Sequence, residues 1–176
     1  MHTCEKNTGD ELVKRARGGD TKAFAKLYEG IYVDLYRFAF YMMRNAHDAE
    51  DVVSEAVISA FEHISNLKKA SAFRSWMFTI VSNGCKKRLL SKECSQVELK
   101  ETDLSAELNL EEEHDVHKAL WSLTQEERMI VLMLVLGGYN SREVGEILEM
   151  NPITVRSKQK RALEKMRLLL GEEGGV

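Results

Sequence analysis

The sequence predicts an all-α protein: two small helical domains joined by an acidic linker, the second domain a helix-turn-helix. Three observations lead there. The 176 residues hold a single proline, Pro152, and only 7% aromatics, while the strong helix formers Leu, Ala, Glu, Lys, Arg and Met dominate. Apolar residues recur at helical rather than alternating spacing over most of the chain. Charge is segregated into blocks, and the length suits one medium domain or two small ones.

Asp10 opens a short helix to Arg17, and Gly18-Gly19 ends it. Asp20 is placed to cap the next helix, since its carboxylate can accept from free backbone N–H groups. Lys22 to Arg44 carries one stripe, Phe24, Leu27, Ile31, Leu35, Phe38 and Met42. Asn45 to Asp48 reads as a turn, with Asp48 capping a helix to Ile64. That helix has Ala49, Val53, Ala56, Val57, Ala60 and Ile64 on one face and Asp48, Asp51, Glu55 and Glu62 opposite. Residues 66–72 read as a loop. Phe73 to Leu90 is helical again, its stripe being Phe73, Trp76, Met77, Ile80 and Val81.

Residues 91–110 lose periodicity and turn acidic, as a linker would. A helix from Glu111 to Leu123 comes next. Thr124-Gln125-Glu126-Glu127 has the form of a capping box. The apolar run Met129 to Leu136 stops at Gly137-Gly138. Ser141 then caps a helix to Leu148 whose buried side is Val144, Ile147 and Leu148, and Gly145 permits a close helix crossing. Glu149-Met150-Asn151 is a tight turn. Asn151 caps a last helix, Pro152 to Leu170, with proline at the first position, where its missing N–H costs nothing. The predicted domains are 10–91 and 112–171, with a linker at 92–111.

The net charge of -3 hides the pattern that matters. From Ala46 to Glu62 there are five acids and no Lys or Arg; from Asn66 to Lys92, seven bases and no acids. From Ser91 to Asp115 nine acids face two bases, and from Asn151 to Leu170 six bases face one acid. Such blocks suggest two basic binding surfaces separated by an acidic connector.

Helix, tight turn and helix with a basic second member form the pattern of a DNA-reading pair. In the last helix Val155, Ala162, Leu163, Met166 and Leu170 form the apolar side. Residues near its N-terminus would read bases, which selects Arg156, Ser157 and Lys160. Lys158, Arg161 and Lys165 would neutralise phosphates. The competing reading is an ordinary solvated basic face; turn, cap and charge together favour DNA.

Other classes find less support. No apolar run resembles a signal peptide or approaches the roughly 20 residues of a membrane span, so the expected location is cytoplasmic, with no direct membrane insertion. Cys4, Cys85 and Cys94 lack paired spacing and read as free thiols. His114, His117 and Cys94 match no zinc pattern. No glycine loop or nucleophile–base pair suggests catalysis. The expectation is therefore no enzyme, no metal and no cofactor. Asp48 to Asp51 as magnesium ligands of a nucleic-acid enzyme lacks a second carboxylate cluster. Trp76 could stack on a base, but its place in the apolar stripe favours packing.

The stretch Tyr139 to Leu163 resembles the C-terminal domain of bacterial sigma factors. Asp48-Ala-Glu-Asp51, followed by Glu55 and Phe61, is similar to the acidic helix that docks on the polymerase clamp. Phe73-Arg-Ser-Trp-Met-Phe-Thr-Ile80, then Asn83 and Lys86-Lys-Arg88, is similar to the helix that engages the -10 promoter element. Two such segments in this order resemble the extracytoplasmic-function class of the sigma-70 family.

The resemblance implies a factor that directs RNA polymerase core to promoters. It implies partners on the beta-prime clamp and beta flap, promoter DNA, and an anti-sigma factor. Asp48, Glu50, Asp51 and Glu55 would bind polymerase core. Lys68, Lys69, Ser71, Arg74, Asn83, Lys86, Lys87 and Arg88 would bind the -10 element. Thr154, Arg156, Ser157, Lys158, Lys160 and Arg161 would bind the -35 element. The acidic linker would thread through the polymerase interior. Ser54, Ser122-Leu123-Thr124, Ile153 and Lys158 depart from the family pattern, so no promoter sequence carries over. A stand-alone helix-turn-helix regulator is the alternative.

Overall fold

A computed structural model describes residues 2–94 and 112–172, with side chains over 9–91 and 115–171. Among these the regular elements are helical. They are α1 (His2–Arg17), α2 (Thr21–Glu29), α3 (Tyr32–Met43), α4 (Ala46–His63), α5 (Phe73–Cys94), α6 (Glu112–Trp121), α7 (Gln125–Val135), α8 (Ser141–Leu148) and α9 (Pro152–Glu172). Short 3-10 turns cover Ile64–Asn66 and Ala70–Ala72. The chain divides into two compact units, α1 to α5 and α6 to α9. The predicted linker lies outside the described residues except where α5 continues to Cys94.

In the first unit α4 packs between α3 and α5. Leu35, Phe38, Met42 and Met43 of α3 meet Val52, Val53, Ala56 and Ala60 of α4 and Met77, Phe78, Val81 and Cys85 of α5, all buried. Burying each large apolar side chain stabilises the fold by about 1.5–3 kcal/mol. Phe38 and Phe78 meet edge to face at 5.7 Å. Phe24 of α2 touches Phe61 and Phe73 at 5.3 and 6.0 Å, tying α2 to both layers. Burial pushes the Cys85 thiol up to about 12, which keeps it neutral and unreactive.

Asp20 caps α2 as predicted. Its Oδ1 accepts from the Lys22 and Ala23 amides at 3.0 Å each, and Oδ2 accepts from Arg15 at 2.6 Å. The backbone amide of Ala23 and then the Arg15 guanidinium hold this carboxyl below its usual range.

Three helix starts in the first unit correct the sequence reading. α1 begins at His2, well before Asp10. Lys22 to Arg44 is two helices, broken at Gly30 and Ile31; apolar spacing continues across the break and so conceals it. Asn45 caps α4, its Oδ1 accepting from the Asp48 amide at 3.0 Å. Asp48 already lies inside the helix and turns its carboxylate elsewhere.

In the second unit Arg128 of α7 is buried. It donates to the carbonyls of Leu120 and Leu123 at 3.0 Å and of Trp121 at 3.4 Å. A fixed cation there satisfies orphan carbonyls at the end of α6, where the helix dipole is negative. The Thr124 capping box is present in both directions, Thr124 N–H to Glu127 at 3.1 Å and Glu127 N–H to Thr124 Oγ1 at 3.2 Å.

α8 is capped by Asn140 rather than Ser141. The Asn140 side chain accepts from Arg142 and Glu143 amides at 2.9 and 3.1 Å, and Glu143 returns the bond to the Asn140 amide at 2.8 Å. Glu149 takes a left-handed turn conformation, φ 56°. The chain then folds back so closely that a Cβ on Gly145 would stand 2.6 Å from the Met150 carbonyl oxygen. Asn151 caps α9, accepting from the Ile153 amide at 2.8 Å, and Val155 and Ala162 seat α9 on the core.

Among the described residues no helix is long and apolar enough to cross a membrane. No group of three or more His, Cys, Asp and Glu there is placed to hold a metal. His117 is buried against Trp121, with ring centroids 5.4 Å apart.

Candidate nucleic-acid and protein interfaces

The cap at Asn151 and the turn before it set the start of α9 so that Val155 faces the core and the residues on the opposite side face outward. Thr154, Arg156, Ser157, Lys160 and Arg161 are exposed, and Ile153 beside them is 68% exposed. Ser157 Oγ donates to the Ile153 carbonyl at 3.0 Å, which leaves its oxygen able to accept.

Lys158 behaves differently. It lies on the flank next to Val155 and pairs with Glu126 at the start of α7. Lys165, two turns on, donates to both oxygens of Glu127 at 2.8 and 2.9 Å. The Lys165 ammonium, more than any other group, holds the Glu127 carboxyl below its usual range. Both lysines were predicted phosphate contacts, and here they brace the helix that presents the others.

In the first unit the predicted -10 residues fall into two groups. Asn83 and Lys87 of α5 are exposed, and Lys86 is half-buried. Lys68, Lys69 and Ser71 are exposed in the connection before α5. Lys69, Ala70 and Ser71 there border a groove of about 560 Å³, shared with Gly9, Asp10, Val13 and Leu27. Trp76 is half-buried and its ring lies 6.4 Å from Phe73. It is neither wholly core nor wholly surface.

Arg74 and Arg88 point inward along α5. Arg74 donates to Asp34 of α3 at 2.9 Å and lies 5.1 Å over the Phe78 ring. Arg88 donates to Asp51 at 2.6 Å and to Asp48 at 3.2 and 3.3 Å, and stands 3.7 Å from Glu55. The hydrogen bond to Asp51 is the largest cause of its raised pKa. The structure thus joins a predicted DNA residue to the predicted docking carboxylates.

On the outer face of α4, Glu50, Asp51, Ser54, Glu55 and Glu62 are exposed. Ile58 stands among them at 62% exposure. Sequence reasoning missed Ile58, although an apolar residue on a polar helix face was visible from its position. It also missed the inward arginines. Residues 74, 77, 78, 81, 85 and 88 share one face at 3.6 residues per turn, so the same angular sorting would have found them.

Comparison with known proteins gives the class and then the family. The family models described as Sigma-70 region 2 and Sigma-70, region 4 match residues 27–93 and 113–166. Region 2 thus falls on the first unit and region 4 on the second. The ECF RNA polymerase sigma-E factor of Escherichia coli K12 is 30% identical, over 91% of this chain and 93% of its own. The ECF sigma factor SigM of Mycobacterium tuberculosis is 29% identical, over 92% of this chain and 84% of its own.

The chain belongs to the extracytoplasmic-function class of the sigma-70 family, and so is a transcription initiation factor of RNA polymerase. The fold agrees. The sigma factor RpoE of Bartonella quintana, solved with the anti-sigma factor NepR, superposes with a TM-score of 0.74. It is 20% identical, over 86% of this chain and 98% of that one. CnrH, solved with the cytosolic domain of CnrY, gives 0.66 at 20% identity, over 94% of this chain and 98% of that one.

Proposed function

We propose that residues 10–91 hold RNA polymerase core and capture the -10 element, that 112–171 read the -35 element as duplex, and that 92–111 link the two. The observation that carries this reading is the sorting of side chains on α9. Thr154, Arg156, Ser157, Lys160 and Arg161 project outward near the helix N-terminus, where a major-groove helix meets base edges. Arg156 is the strongest base reader, since a guanidinium bonds bidentately to guanine. Arg161 neutralises phosphate.

On the first unit Lys68, Lys69, Ser71, Asn83, Lys86 and Lys87 line the -10 side. Glu50, Asp51, Glu55 and Ile58 form the polymerase side, an apolar centre in an acidic rim. By analogy with RpoE of Bartonella quintana, solved with the anti-sigma factor NepR, an anti-sigma factor is a further partner.

The test is reconstitution. The protein is added to polymerase core with a genomic promoter library, and transcript starts are mapped. Starts that appear only with the protein support the reading; starts that do not depend on it defeat it. Specific duplex binding without core would instead favour a stand-alone regulator.

A further inference from the structure

We infer that Arg88 is a positioning residue of the polymerase-docking face of α4, holding Asp51 in the conformation that core binds, and not a DNA contact. The inference rests on the docking role proposed above.

The geometry separates the carboxylates that Arg88 reaches. The Asp48 side chain is only 13% exposed, Asp51 is 50% and Glu55 is 73%. Asp48 lies too deep to meet a partner. A half-buried carboxylate is costly without a counter-charge, and Arg88 supplies one at 3.2 Å. Asp48 and Arg88 together carry no net charge. What faces outward is Asp51 and Glu55, with Asp51 fixed by a 2.6 Å bond to the same guanidinium.

Asp48 and Asp51 lie three residues apart on one helix, so they repel when nothing stands between them. Arg88 removes that repulsion. It also removes the rotamer freedom of Asp51 before any partner arrives. Ordering such a side chain at an interface has a free-energy cost that the partner must otherwise supply on binding. Supplying that order in advance is worth about 3- to 10-fold in affinity. One nitrogen of the guanidinium, Nη2, donates to both aspartates while Nε donates again to Asp48, a second bond that the single ammonium of a lysine would not place in the same plane.

The experiment measures two affinities of the full-length protein. One is for RNA polymerase core. The other is the affinity of holoenzyme, formed at saturating factor, for a -10 single strand. Arg88→Ala is expected to weaken core binding about 3- to 10-fold and to leave strand binding within twofold of wild type. Arg88→Lys falls between the two.

Combined with Asp51→Ala, the Arg88→Ala change adds nothing further to the loss in core affinity, because its effect runs through Asp51. Strand binding lost with core affinity intact makes Arg88 a DNA contact and overturns the inference. So does tighter core binding, which makes Arg88 a competitor of the docking cation, and so does no change in either affinity. Additive losses in the double variant place its action outside Asp51 and also overturn it. A wild-type protein that fails to bind core defeats the docking reading itself, a different result from any of these. Intact strand binding by Arg88→Ala, with unchanged thermal melting of Arg88→Lys, excludes misfolding as the cause.

Discussion

The two basic helices, α5 and α9, sort their cations in the same way but anchor them to different things. Each keeps some bases outward: Lys87 on α5; Arg156, Lys160 and Arg161 on α9. Each turns others inward onto carboxylates of a neighbouring helix. On α9 the half-buried Lys158 and the more exposed Lys165 lean onto Glu126 and Glu127, at the N-terminus of α7 in the same unit. On α5 Arg88 grips Asp48 and Asp51 at the edge of the exposed outer face of α4. Counting bases in a sequence therefore overstates a binding surface. The inward fraction stabilises the platform in one unit and shapes a neighbouring face in the other.

Four changes break or sharpen that contrast. The largest effect belongs to Gly145→Val, which drives a side chain against the Met150 carbonyl 2.6 Å from the Cβ position. Main chain cannot yield as a side chain does, so a loss of about 3 kcal/mol is expected. In a Trp76→Phe background, fluorescence of Trp121 should melt earlier, while core binding by the first unit persists.

Arg156→Ala comes next. It should cost about 1–3 kcal/mol of discrimination at one position of the -35 duplex, measured with holoenzyme on matched and mutated promoters. An equal loss on every sequence would make Arg156 a phosphate contact.

Lys158→Ala tests the inward group. It should lower the stability of the second unit by about 0.5–1 kcal/mol and leave the salt dependence of duplex binding unchanged. A salt slope reduced by about 1 would return Lys158 to the phosphate backbone.

The smallest effect is Glu127→Gln, which keeps an acceptor for the Thr124 amide and loses the charge facing Lys165. A few tenths of a kcal/mol should disappear at neutral pH. The wild-type carboxyl is depressed, so its contribution is present above the ordinary glutamate range and fades as pH falls through the depressed value. The gap between the two melting curves should close on acidification. A constant gap would show that the charge is irrelevant.

The sequence made the helices legible because periodicity records burial, and burial drives their packing. The Asp20, Thr124 and Asn151 caps were legible for a local reason: donor and acceptor lie within three residues. Errors arose where two candidates stood side by side, Asn45 against Asp48 and Asn140 against Ser141. Only the backbone path separates them. The break at Gly30 was hidden because apolar residues resume in phase after it.

The site was legible as residue types and less so as directions. Arg156, Ser157, Lys160 and Arg161 are exposed, on the side of α9 where angular sorting put them. Arg88 does not group with Lys86 and Lys87, because one residue of helix is a turn of about 100°. Its partners lie 37 and 40 residues away, a separation no local pattern encodes.

The brace behind α9 has a mechanical consequence. Lys158 and Lys165 are seven residues apart, about 10 Å along the axis. Their carboxylates, Glu126 and Glu127, are adjacent at one end of α7. Two struts leaving separated points and meeting at one make a triangle, which resists a swivel better than a single contact does. Tilting α9 must break a strut or carry α7 along. Each strut is a partly exposed ion pair worth no more than about 1 kcal/mol, so the brace biases the angle of α9 on α7 without locking it.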